Sequence, residues 1–216
     1  MMSTDTASPE SLSPVLPESA AERLSVLSWR LISVGFLYPD EAWGKRFENL
    51  FKKAADCCAA AGKKRRAQLE KLRDSFAGTS REILAGDFHR LFGSGGSVSL
   101  DATVYLTENP FDQAKKAADL AGFYKAFGVE AASGNRPDSL PALFELVSYL
   151  HVKAVYAGRH RWKEKEKVTR DAIRSLTTEF LKPAVEGFVK RLGESQPGEF
   201  YLQLANLSRE VVHEKI

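Results

Sequence analysis

Catalysis or metal binding in this chain would have to start from four histidines, two cysteines and a scatter of carboxylates. His89, His151, His160 and His213 stand far apart, so no pair falls at the three- or four-residue step that sets two ligands on one helix face. Cys57 and Cys58 are adjacent, a spacing that rarely satisfies disulfide geometry, and the chain has no third cysteine. They read as small, buried or half-buried helix residues, and a chain without a disulfide framework suits a reducing compartment. No Gly-x-Ser-x-Gly elbow occurs either. The acids are not gathered in a way that marks a proton-transfer pair, so catalysis has little footing and no metal is expected.

A different chemistry is legible around residues 119–150. The loop SGNRPDS leads into an apolar helix in which Leu140, Leu143, Phe144, Val147 and Leu150 form one stripe, with Glu145 on its flank. Asp138 is placed to cap that helix through its carboxylate, and Pro141 falls in the first turn, where a missing amide hydrogen costs little. Upstream, Phe88, Leu91 and Phe92 in FHRLF and Val104 and Tyr105 in TVYL supply large apolar groups. Rings beside a few carboxylates can wall an apolar groove with a charged mouth. Each residue also has a plainer use: the rings as core, Asp138 as a helix cap.

The elements that must position these groups are helical throughout. Leu24, Leu27, Leu31 and Val34 recur at three- and four-residue steps, and Pro39 in FLYPD closes that first helix. A second helix is expected over about 41–61, ended by Gly62, and a third after the basic run Lys63–Arg66. Others follow over about 79–91, 110–127, 139–157, 164–192 and 198–214, with Pro183 kinking the long one or starting a new helix. The glycine-rich stretch 93–101 reads as a flexible connector, because it lacks the strand and the Lys-Ser/Thr ending of a phosphate loop. No alternating strand, repeat or heptad seam is present. The fold class is all-α, with residues 1–18 a flexible N-terminal tail and 19–216 a single compact helical domain.

The formal charge of +3 is small for 216 residues, a poor case for a dedicated nucleic-acid binder. The two basic runs, Lys63–Arg66 and GRHRWKEKEK at 158–167, read as solvated helix starts; docking to RNA or to anionic lipid is the alternative. No apolar run approaches the roughly 20 residues of a membrane span, and the N-terminus lacks the basic start and apolar centre of a secretion signal. The expected location is the cytoplasm.

The order of these segments carries a resemblance. FHRLF, a glycine-rich loop, TVYL, a helix ending in YKAFG and a Pro-Asp turn before an apolar helix are similar to the cytoplasmic chaperones of molybdoenzymes, the family of TorD, DmsD and the nitrate-reductase delta subunit NarJ. FLYPD near the start, and FLKPAVEGFVKRL with EFYLQLANL near the end, extend the likeness over roughly residues 20–213.

The resemblance implies an all-helical binding protein, not an enzyme. Its partner would be the catalytic subunit of a molybdopterin oxidoreductase, held in the cytoplasm by its twin-arginine leader peptide or N-terminal region until cofactor insertion. Export or membrane attachment then follows. It implies no stable membrane insertion, no nucleic acid, a monomer or homodimer, and no cofactor beyond a suggested weak GTP binding. Carried onto matching positions, the peptide-binding candidates are Phe88, Leu91, Phe92, Val104, Tyr105, Tyr124, Asp138, Ser139 and Glu145. Phe127 and Gly128 match the word before the Pro-Asp turn. Ser139 stands where the family has histidine, Leu143 where it has the first of two acids, and Phe88 where it often has tryptophan. The competing readings are a guanine-nucleotide-dependent switch or enzyme using the 93–101 loop, and a helical adaptor on RNA or membrane through the basic patches.

Overall fold

The computed structural model describes residues 17–57, 63–131 and 136–214. The expected tail, most of whose residues precede 17, Cys58 and the proposed stop at Gly62 lie outside them. Among the described residues ten α-helices follow in order: α1 (Ala20–Gly35), α2 (Trp43–Asp56), α3 (Lys63–Ala77), α4 (Arg81–Phe92), α5 (Thr103–Leu106), α6 (Pro110–Ala126), α7 (Leu140–Arg159), α8 (Lys163–Ser175), α9 (Lys182–Glu194) and α10 (Glu199–Val212). Among the described residues there is no strand, only an isolated bridge between Asp101 and Ser139. The all-α expectation holds.

α1 and α7 form the central pair. Ser33 donates to the Pro141 carbonyl at 2.8 Å and Ser148 to the Val26 carbonyl at 3.0 Å, which sets the two helices antiparallel. Both serines are buried, and their small side chains let the backbones approach while each hydroxyl finds an acceptor. The α7 stripe Leu140, Leu143, Phe144, Val147 and Leu150 is fully buried, as its spacing requires. α2 joins α1 through Trp43, whose indole donates to the Val34 carbonyl at 2.7 Å. Around this pair, Trp43, Phe47, Phe76 and Phe200 make one ring cluster, and Phe36, Phe92, Phe188 and Tyr201 another.

The long helix expected over 164–192 is interrupted, and proline is the reason. Residues 176–181 form a π-helical turn in which the Lys182 amide reaches back five residues to the Thr177 carbonyl. Pro183 then sits in the first turn of α9. Proline would clash with the carbonyl one α-turn back, and the wider π turn relieves that clash without ending the rod.

Two other expectations change. The 93–101 stretch is anchored: the Val98 amide donates to the Leu91 carbonyl at 2.9 Å, Tyr105 donates to the Ser99 carbonyl at 2.6 Å, and Val98 is buried. Gly96 lies so close to the Leu91 carbonyl that a β-carbon there would sit 2.4 Å from its oxygen. The Lys63–Arg66 run is not simply a solvated helix start. Arg65 is 4% exposed and forms an ion pair with both Glu210 and Glu214 at the end of α10. Packing of α3 on α10 decides this, since the two segments lie far apart in sequence.

Candidate functional site

The Pro-Asp bend is the first place where the structure rearranges the expected site. Ser139, not Asp138, occupies the cap position of α7, and its hydroxyl makes no capping hydrogen bond. Asp138 is fully buried. Its Oδ2 accepts from Thr103 Oγ1 at 2.6 Å and from Arg136 at 3.1 Å, and its Oδ1 accepts from Arg136 Nε at 3.0 Å. Arg136 reaches Asp101 as well, at 3.5 Å. The backbone repeats the link, with the Ala102 amide on the Asp138 carbonyl and the Leu140 amide on the Leu100 carbonyl. Asp138 therefore ties the loop before α5 to the start of α7. Burial pushes its carboxyl pKa up, but the bonds from Arg136 and Thr103 outweigh that and hold it below the usual carboxylate range.

The apolar candidates separate. Leu91 is wholly core. Phe92 is half-buried among Phe36, Phe88, Phe188 and Tyr201, and Phe88 lies against Tyr38, Phe92 and Tyr201. Tyr105 rests on Phe188, while Val104 points outward at 44% exposure. These side chains join α4, α5, α9 and α10. They do not line the apolar-floored hollow between α1, α2 and α7, and Asp138 is buried rather than at its mouth.

The hollow lies between α1, α2 and α7, beside the end of α6. It measures about 860 Å³ and has an apolar floor of Val26, Leu27, Leu50, Ala142, Leu146 and Val152. An adjoining hollow of about 250 Å³ reaches Pro141, Val34 and Leu37 and shares Arg30, Arg46 and Glu145 with the first. Five charged residues line the larger hollow: Arg30, Arg46, Lys53, Glu130 and Glu145. None of the five makes an ion pair among the described residues. Tyr149, 38% exposed, and Tyr124 complete the wall. Two of the sequence candidates, Tyr124 and Glu145, are thus brought together here.

Tyr124 is the least expected feature. It is 6% exposed, and its hydroxyl has no hydrogen-bond partner among the described residues. Burial first, then the neighbouring charges of Glu145 and Asp138, push its pKa up, so the proton stays on and the group is a donor. A buried donor without an acceptor is costly, on the order of 1–3 kcal/mol, unless something else supplies one. Arg30, Arg46, Lys53 and Tyr149 were not singled out from sequence, because no local pattern marks them. They share a wall only through packing.

Among the described residues no group of three His, Cys, Asp or Glu is placed to hold a metal ion. Burial, with a smaller contribution from Arg170, pushes His151 down to about 4, so it is neutral at physiological pH. No helix there is long and apolar enough to cross a membrane.

The comparison with known families decides the affiliation. The family described as nitrate reductase delta subunit matches residues 59–190, more than half of the chain. The chain belongs to that family. Members of the nitrate reductase delta subunit family are maturation chaperones of molybdoenzymes, not enzymes themselves. The matched region runs from α3 through most of α9 and so contains the Asp138 tie, Tyr124 and Glu145. α1 and α2, which supply the other walls of the hollow, precede it. No curated protein sequence matches the chain.

Proposed function

We propose that this delta-subunit relative captures the twin-arginine leader or N-terminal region of a molybdopterin oxidoreductase catalytic subunit in the groove between α1, α2 and α7. It holds that segment in the cytoplasm until the cofactor is inserted. The observation that carries this reading is an apolar-floored groove at the Pro-Asp end of α7 with the unpaired carboxylates Glu145 and Glu130 and an unsatisfied Tyr124 hydroxyl.

The division of labour follows from magnitudes. Each large apolar side chain buried on the floor contributes about 1.5–3 kcal/mol, whereas an ion pair at an exposed rim contributes about 0–1 kcal/mol. The apolar part of the leader therefore supplies the affinity. Glu145 and Glu130 attract the arginine pair while Arg30, Arg46 and Lys53 of the same wall repel it, which sets the way it lies, and the Tyr124 hydroxyl donates to a backbone carbonyl of the guest. A volume near 860 Å³ corresponds to about two turns of a helix roughly 10 Å across, enough for the start of an apolar segment and too little for permanent burial of a whole leader. Capture of this size is reversible, as a holding role demands.

We take capture to need no cofactor. The 93–101 loop spends its amides inside the protein, Gly96 on Gly93 and Val98 on Leu91, which leaves little for a guanine nucleotide's phosphates. Asp138, Phe88, Phe92 and Tyr105 contribute by holding α4, α5 and α7 in register, Ser139 by its place at the cap, and Val104 as an outward neighbour of the bend.

The test is titration of the full chain with fluorescent peptides carrying an arginine pair ahead of an apolar segment. Binding is expected, weakened about tenfold by Glu145→Lys and by replacing the arginine pair with glutamines. If neither the peptides nor an intact molybdopterin-binding subunit is retained, the reading is wrong.

A further inference from the structure

The second basic run, 158–167, is not absorbed by the groove. Residues 159–167 hold five bases, Arg159, Arg161, Lys163, Lys165 and Lys167, against two acids, Glu164 and Glu166. That excess of three equals the formal charge of the whole chain, and among the described residues only Arg159 of the run is paired with an acid from outside it, Glu18 at 3.4 Å. Glu166 is already bound to Arg170 at 2.9 Å, whereas Arg161, Lys163, Lys165 and Lys167 make no ion pair among the described residues.

The same corner gathers exposed rings. Tyr156, His160 and Trp162 are mutual neighbours, with centroids 4.1, 5.0 and 5.8 Å apart, and the Lys165 ammonium lies 4.3 Å from the Trp162 centroid. Trp162 is 43% exposed, unlike Trp29 and Trp43, which are core. The turn is held rigidly. The Trp162 amide donates to the Ala157 carbonyl and the Arg161 amide to the Gly158 carbonyl, the pair of hydrogen bonds that closes a helix around a left-handed residue. Arg161 has φ 58°, at a position that glycine would occupy with less strain.

We propose that the α7–α8 corner, carrying Tyr156, His160 and Trp162 with Arg161, Lys163, Lys165 and Lys167, docks on the surface of an anionic lipid bilayer. Amphipathic rings settle at the headgroup level, and surrounding lysines and arginines are drawn to anionic headgroups. Single-stranded nucleic acid would use the same charge, but it needs ring faces free for base stacking. Here the three rings pack on one another and the Lys165 ammonium lies over Trp162, so faces that bases would stack on are already in contact. Among the described residues no helix is long and apolar enough to cross a membrane, and the attachment proposed for this corner is peripheral. The proposal is independent of the peptide groove.

The experiment is flotation of the full chain with vesicles of phosphatidylcholine, alone and mixed with phosphatidylglycerol, at low and at physiological salt. Co-flotation with the anionic vesicles only, weakened by salt, is expected, together with a blue shift of Trp162 emission. Trp162→Ala and the double reversal Lys163→Glu with Lys165→Glu are expected to lower partitioning at least about tenfold. Arg161→Gly separates binding from folding: it relaxes the left-handed residue, so thermal stability holds or rises while partitioning falls. Equal flotation with neutral vesicles, no flotation, or tighter retention on a single-stranded RNA oligomer than on anionic vesicles would overturn the proposal.

Discussion

Thr103 Oγ1 donates to Asp138 Oδ2 at 2.6 Å across 35 positions of chain, and Arg136 closes the same carboxylate from the other side. The acid that looks like a helix cap is thus a buried tie between the start of α5 and the start of α7. Its ionisation is coupled to the fold rather than to a guest.

That coupling has a pH signature. The folded pKa of Asp138 is depressed, so the stability it contributes is fully present above the unfolded carboxylate value, about 3.9, and is lost as pH falls through the folded value. Asp138→Asn is expected to lower the melting temperature at neutral pH and to flatten its decline in acid, as followed by circular dichroism. Asp138→Ala strands Thr103 and Arg136 and costs about 2–3 kcal/mol. Parallel pH profiles for the parent and the Asn variant would remove the tie from consideration.

Tyr124 and Phe92 are expected to respond in opposite senses. Tyr124→Phe removes a buried hydroxyl that has no partner, so stability is unchanged or rises by about 1 kcal/mol, while leader-peptide affinity falls. Phe92→Ala withdraws a ring from contact with Phe36, Phe88, Phe188 and Tyr201 and costs about 3 kcal/mol. Its effect on affinity should disappear once measured well below its melting temperature. Urea titration paired with peptide binding distinguishes the two, and a Tyr124→Phe variant that binds normally would detach this hydroxyl from capture.

Arg65 gives a third measurement. It is buried, it faces Glu210 and Glu214, and Glu210 has a buried oxygen with no hydrogen-bond partner among the described residues. Removing one partner of a fully buried pair costs about 3–5 kcal/mol; Glu214 is half-exposed, so Arg65→Met should cost nearer 2–3 kcal/mol. The loss should appear first as faster amide exchange at the C-terminal end of α10. Unchanged exchange there would mean that the ion pair does not hold α10 to α3.

What the sequence alone determined was the longer helices and the faces they bury; the four-residue α5 was not read from it. Three- and four-residue spacing is a local property, which is why the α7 stripe and the α1 stripe could be read without coordinates. Proline at 183 announced an interruption for the same reason: its missing amide hydrogen acts within one turn. The family resemblance rested on ordered short words, which are also local. Tertiary structure alone decided the use of each polar or aromatic side chain. Asp138 has the same chemistry as a cap or as a buried tie, and only the arrival of Thr103 from α5 selects between them. Arg65 reads as solvated until α10 covers it, and Phe92 reads as a groove wall until Phe188 and Tyr201 close on it. The groove itself joins α1, α2 and α7, helices whose contact follows from packing of apolar faces. No neighbour in sequence could reveal that Arg30, Arg46 and Glu145 share one wall.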